Sequence, residues 1–232
     1  MVLIPYGTLT NAATVIVGGA LGAALNSRMP ESVRRIVFQG LGLGVLAIGL
    51  DMTLPLPAGP ETLMVLFSVV LGGVAGRLLR LEERMERMGD TVKAMLRSDN
   101  SRFTEGLITA FLIFCVGPLT ILGSFEEGLS GDHTLLMTKS VLDGFAALAL
   151  AATYGMGVVV SVIPLLAYQL ALTYLAFLLT GVFTEPVVAL ISVTGGLLIV
   201  GIGINLLDLK KIPVGDLLPA LPCIVLLAVI FV

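Results

Sequence analysis

The chain has 232 residues, of which 57% are hydrophobic and only 12% charged, with a formal net charge of −3 and a mean hydropathy of +1.06. A soluble domain carries about 25% charged residues, so the composition excludes one. No nucleic-acid partner is expected.

A helix needs about 20 mostly apolar residues to cross a hydrocarbon core of ~30 Å. Such runs fall near residues 6–25, 33–52, 60–79, 104–123, 135–154, 157–180, 187–207 and 215–232. In lipid every backbone N–H and C=O must be paired within its segment or around a closed barrel, and the runs lack the short alternation of barrel strands. The expected fold is therefore all-α, a polytopic bundle of about eight spans forming a single integral membrane domain over residues 1–232. MVLIPYGT has no basic stretch of the kind that opens a cleavable signal, so the first span is expected to be retained.

Cytoplasmic loops collect Lys and Arg. Arg28, Arg34 and Arg35 lie between spans 1 and 2, Arg77, Arg80, Arg84, Arg87, Lys93, Arg97 and Arg102 between spans 3 and 4, and Lys210 and Lys211 between spans 7 and 8. Only Lys139 falls elsewhere, which places both termini outside the cytoplasm. The long polar stretch 80–103 has apolar residues at 81, 85, 88, 92 and 95, one face of a helix. It reads as a cytoplasmic amphipathic connector that either rests on lipid headgroups or docks a soluble partner.

Sliding the chain on itself by 154 residues aligns PESVRRIVFQGLGLGVLAIGLDM (30–52) with TEPVVALISVTGGLLIVGIGINL (184–206). Glu31 meets Glu185, Val33 meets Val187, Leu43 meets Leu197, and Ile48-Gly49 meets Ile202-Gly203. Span 2 maps onto span 7, five crossings later, so the copies would run in opposite directions. The expectation is an inverted repeat of three spans, with halves 6–80 and 157–232 and the central pair 104–154 inserted between them. Inverted repeats of this kind build secondary transporters. The G-x-x-x-G pairs Gly18–Gly22 and Gly72–Gly76 read as close helix packing.

The central pair carries the polar residues. GSFEEGLSGDH (123–133) holds Glu126, Glu127, Asp132 and the chain's one histidine, His133. Its glycines suggest an irregular acidic mouth, with Ser130 or Asp132 capping span 5. Lys139, Ser140 and Asp143 follow inside the span, and at 1.5 Å per residue from Thr134 the Asp143 carboxylate lies about 13 Å deep. Lys139 and Asp143, four residues apart, either neutralise one another or line a path for a solute or ion. Whether span 5 crosses or is re-entrant stays open. Gly117-Pro118 interrupts span 4 and should free a carbonyl one turn earlier. Gln169, Asn11 and Asn205 are further candidates for the path, each equally able to hydrogen-bond between helices. Cys115 and Cys223 read as packing residues, and one histidine gives no zinc site.

GTLTNA near the start, GLSGDHTLLMTKSVLDG in the centre and GGLLIVGIGINLLDLKKIPVGDLLPAL near the end resemble a domain-of-unknown-function family of bacterial inner-membrane proteins that includes YqgA and YdfK. The resemblance covers essentially the whole chain. It implies a multi-pass protein of the bacterial cytoplasmic membrane, generally described as a transport protein with no agreed substrate. The family pattern leads one to expect Asn before LLPAL, where this chain has Asp216.

The sequence contains no H-E-x-x-H, G-x-S-x-G or G-x-x-x-x-G-K-[ST]. The expected function is a secondary transporter or channel for a small polar solute or ion, working by alternating access, with a non-transporting scaffold or sensor as the alternative. No cofactor or metal is expected. The expected partners are the bilayer and the solute, with homo-oligomerisation left open.

Overall fold

The computed structural model of the chain describes residues 4–26, 30–56, 59–98, 100–116, 118–179 and 184–231. Every regular element among them is a helix: α1 (Tyr6–Asn26), α2 (Glu31–Thr53), α3 (Pro60–Leu79), α4 (Leu81–Met95), α5 (Phe103–Val116), α6 (Pro118–Ser130), α7 (Thr134–Tyr154), α8 (Gly157–Val160), α9 (Val162–Leu179), α10 (Glu185–Leu206), α11 (Val214–Leu217) and α12 (Ala220–Phe231). Six helical stretches are long and apolar enough to cross a membrane, or seven if the bent pair α5–α6 counts as one span. The 23-residue α2 contributes a further apolar stretch, Gly42–Thr53. The fold is thus an all-α, multi-pass membrane bundle. Arg28 and Gly117, both used in the sequence reading, lie outside the described residues.

Local chemistry sets the helix ends. Proline lacks the N–H that a helix interior needs but fits the first turn, and α3, α6 and α10 each start with one at their first or second position. Arg80 adopts the left-handed conformation, φ 52°, and closes α3 by donating its amide to Arg77 O. This break separates the apolar α3 from the amphipathic α4. Glu82 and Glu83 in the first turn of α4, and Lys93 in its last, suit the helix dipole.

Two expectations need correction. Residues 123–130 do not form an irregular mouth, because α6 runs unbroken through Ser130 and leaves only 131–133 outside a helix. The glycines there serve packing instead: Gly123 lies against Leu135 and Leu136, and Gly128 against the backbone of Thr173. The second concerns the carbonyl freed by Pro118. Proline cannot donate to Phe114 O four residues earlier, yet the Thr120 hydroxyl does so at 2.8 Å. The break, where α5 and α6 meet at 59°, is sealed from within.

Contacts divide the chain into two compact units, Met1–Phe38 with Glu86–Thr180, and Gln39–Met85 with Gly181–Val232. In the first, α1 and α7 pack in parallel over most of their length. Gly7 meets Leu136, Gly18 meets the Gly144 backbone and Gly22 meets the Leu148 backbone, so both chains rise together. A side chain at Gly18 or Gly22 would run into a main-chain carbonyl. Helix α9 runs antiparallel to α1, since Thr8 faces Thr173 and Asn11 faces Gln169.

In the second unit, α2 and α10 pack antiparallel through a reciprocal set of contacts. A Cβ on Gly49 would lie 2.7 Å from Val200 N, and one on Gly203 would lie 2.9 Å from Leu46 N. Likewise Gly42 abuts Leu206 and Leu207, while Gly196 abuts Met52 and Thr53. At the 154-residue offset Leu46 corresponds to Val200, Gly49 to Gly203, Gly42 to Gly196, and Met52 and Thr53 to Leu206 and Leu207. Each contact therefore has a counterpart with the roles exchanged. Helix α3 runs antiparallel to the stretch formed by α11 and α12, with Gly72 against Ala220 and Gly76 against Asp216.

Candidate functional site

The first unit holds a ladder of polar groups that its membrane-length helices bury. It starts at the first turn of α1, whose early N–H groups have no partner inside the helix. Gly7 N donates to Glu127 Oε1 at 2.5 Å and Thr8 N to Glu127 Oε2 at 3.3 Å. The Thr8 hydroxyl adds a 2.7 Å bond to Oε2. A carboxylate from α6 thus caps α1, where the positive end of the helix dipole favours it. Gly7 permits the approach: a Cβ there would sit 2.7 Å from the Leu136 Cβ and 2.9 Å from Glu127 Oε1.

Two rungs connect α1 to α9. The Thr8 and Thr173 hydroxyls stand 3.5 Å apart, at the outer limit of a hydrogen bond. One turn further along, Asn11 Nδ2 donates to Gln169 Oε1 at 3.1 Å. That bond commits the Asn11 nitrogen and leaves Asn11 Oδ1 as the free end. Among the described residues Asn11 Oδ1, Gln169 Nε2 and Ser124 Oγ in this unit, and Thr194 Oγ1 in the other, are buried without a partner. Such orphans are rare in native proteins because each costs about 1–3 kcal/mol.

Asp143 and Lys139 form the ion pair that their spacing suggested, and both are buried. Lys139 Nζ also lies 6.0 Å from the centre of the Phe114 ring, within cation–π range. Ser140 donates back to Leu136 O at 2.6 Å and so satisfies itself within α7. Cys115 is a buried free thiol, and Cys223 is free and half-buried.

The other candidates sit elsewhere. Glu126 and Asp132 lie at the surface, near the end of α6 and just after it, and both are exposed. Asp132 Oδ1 accepts the Thr134 amide at 2.9 Å, tying down an early N–H of α7, and hydrogen bonds from Thr134 hold this carboxyl below the usual carboxylate range. His133 is exposed and its ring stands 6.4 Å from that of Tyr6. Asn205 belongs to the second unit, where it donates to Ile212 O at 2.8 Å and accepts from Ile212 N at 2.7 Å, pinning the turn between α10 and α11. Asp216, where the family pattern suggested Asn, is buried and accepts from Glu82 N at 2.9 Å and Arg77 Nη1 at 3.4 Å. Glu82 in turn accepts the Gly215 amide at 2.6 Å, so α4 and α11 cap each other.

Thr8 and Ser124 escaped the sequence reading as polar groups of the ladder, and Glu127 was expected at an exposed mouth. A signal existed. Thr120, Ser124 and Glu127 recur at helical spacing along α6, as do Thr8 and Asn11 on α1 and Gln169 and Thr173 on α9.

The comparisons with known proteins agree with the architecture. Residues 6–229 match the model of a family described as "Protein of unknown function (DUF554)". The chain is 31% identical over 217 residues to "Uncharacterized membrane protein YdfK" of Bacillus subtilis (strain 168), covering 93% of this chain and 92% of that one. It is 33% identical over 220 residues to "Uncharacterized protein YqgA" of Escherichia coli (strain K12), with the same coverage of 93% and 92%. No solved structure matches. The match over nearly the whole chain, joined to its membrane-length helices, makes this chain a member of the DUF554 family of multi-pass membrane proteins.

Proposed function

We propose that the chain is a secondary transporter or channel for a small polar solute or ion in the bacterial cytoplasmic membrane, with both termini outside the cytoplasm. The observation that carries this reading is the ladder itself. A charged side chain at the centre of a spanning helix costs roughly 2.5–3.5 kcal/mol even on the mild insertion scale, and such residues mark solute and ion paths. Here Lys139 and Asp143 are buried within α7 and Glu127 near the end of α6, and the same unit buries polar atoms that lack partners. A purely structural network would be expected to satisfy itself.

The antiparallel, reciprocal packing of α2 on α10 supports the inverted three-span repeat on which alternating access would rest. The helix limits agree with the same offset of 154. Glu31–Thr53 corresponds to Glu185–Leu206, Pro60–Leu79 to the stretch from Val214 to Phe231, and Tyr6–Asn26 to Val162–Leu179 within two residues at its start. The halves of this repeat are 6–80 and 157–232.

The test is uptake into proteoliposomes of a panel of radiolabelled amino acids, carboxylates and monovalent cations. The reading predicts counterflow for at least one class, lost in Gln169→Leu protein that remains folded. Equal leak through wild-type, variant and empty liposomes for every class would overturn it.

A further inference from the structure

We propose that Thr8, Asn11, Thr173 and Glu127 form a binding site for one monovalent alkali cation of about the size of sodium. The cation site stands on the geometry below; its role as the coupling ion rests on the transport reading.

The first argument is charge. Among the described residues the first unit buries three charged side chains, Glu127 at 1% exposure, Lys139 at 4% and Asp143 at 8%. Lys139 and Asp143 neutralise each other, whereas no ion pair among the described residues includes Glu127. The α1 N-terminus offsets only the equivalent of about half a charge. One positive charge completes the set. A divalent ion would overshoot and needs about six to eight oxygen ligands, while an anion would add to the excess.

The second argument is the oxygens. Asn11 Oδ1 is a fully buried acceptor with no partner, while its amide nitrogen donates to Gln169 Oε1. It lies one turn of α1 from Thr8. The Thr8 hydroxyl gives its proton to Glu127 and keeps its lone pairs free, and Thr173 answers it across a 3.5 Å gap too long for a good hydrogen bond. Two oxygens 3.5 Å apart subtend about 90° at an ion held ~2.4 Å from each, the distance range of calcium-sized cations with oxygen ligands. Neutral oxygens with one carboxylate are the donor set suited to a hard cation.

Purified protein in detergent is titrated with sodium chloride against choline chloride at constant ionic strength, and thermal unfolding is followed. The proposal predicts a saturable rise in Tm, roughly 5–10 °C once sodium exceeds its dissociation constant a hundredfold. Thr173→Val, which keeps shape and removes the oxygen, should weaken the apparent sodium affinity at least tenfold, and Thr173→Ser should restore it. A wild-type Tm indifferent to sodium, potassium and lithium overturns the site without any variant. So does a Tm that follows pH alone and is reproduced by Glu127→Gln, which would identify the missing charge as a proton. An unaltered sodium response in folded Thr173→Val would overturn the ligand assignment. Sodium-dependent stability without flux of any solute upholds the site and sinks the transport reading, and flux indifferent to alkali cations overturns the coupling role.

Discussion

Replacing Asp143 by Asn keeps the shape of the side chain and removes its charge. Lys139 is then an ammonium at 4% exposure facing an amide and the Phe114 ring. Removing one partner of a buried ion pair costs about 3–5 kcal/mol, much of it from stranding the other charge. For a chain of 150–250 residues each kcal/mol moves Tm by about 2–4 °C, so Asp143→Asn should lower Tm by roughly 6–20 °C. Adding Lys139→Met removes the stranded charge while filling most of the volume, and the double variant should recover most of the loss. The assay is thermal unfolding of the four proteins in the same detergent, read as a double-mutant cycle. Additive losses, with a coupling energy near zero, would refute the reasoning that these side chains stabilise one another. Flux measured on the same set separates the roles: a stable double variant that still fails to transport makes Asp143 part of the path.

Gly18→Leu should abolish folding or lower Tm sharply, because its side chain would enter the Gly144 backbone, while Gly44→Ala, with open space around it, should be neutral or slightly stabilising. Thr120→Val leaves Phe114 O without its donor, and loss of a buried partner should cost about 1–3 kcal/mol, measured by chemical unfolding. Asp132 has its carboxyl held low by Thr134, so its contribution is complete above about pH 4, its unfolded value, and is lost as pH falls through the lower folded value. Asp132→Asn should therefore make the acid limb of the stability profile shallower.

The sequence made the helices legible because each run of about 20 apolar residues has one stable form in lipid. The Lys139–Asp143 pair was legible as one of two readings, since four-residue spacing on a helix lets two opposite charges meet. Glu127 was not. Its acidic, glycine-rich neighbourhood looks like a turn, and only the tertiary approach of α1 turns a helical glutamate into the cap of another helix. Asn205 misled for the complementary reason: an isolated amide near the end of a span can serve a path or a local turn, and here the Ile212 backbone lies within its reach. The freed carbonyl at Phe114 was foreseen from Pro118, but Thr120, two residues beyond, was not recognised as its donor.

The central claim, that the buried ladder is a path opened in turn to each side of the membrane, is tested most directly by thiol accessibility. Gln169→Cys, placed in a Cys115→Ala, Cys223→Ala background and reconstituted in oriented vesicles, is exposed to a membrane-impermeant maleimide from one side and then the other. The account predicts labelling from both sides, with rates that shift in opposite directions when sodium replaces choline. A folded protein whose introduced thiol is never labelled from either side under any ionic condition would contradict it.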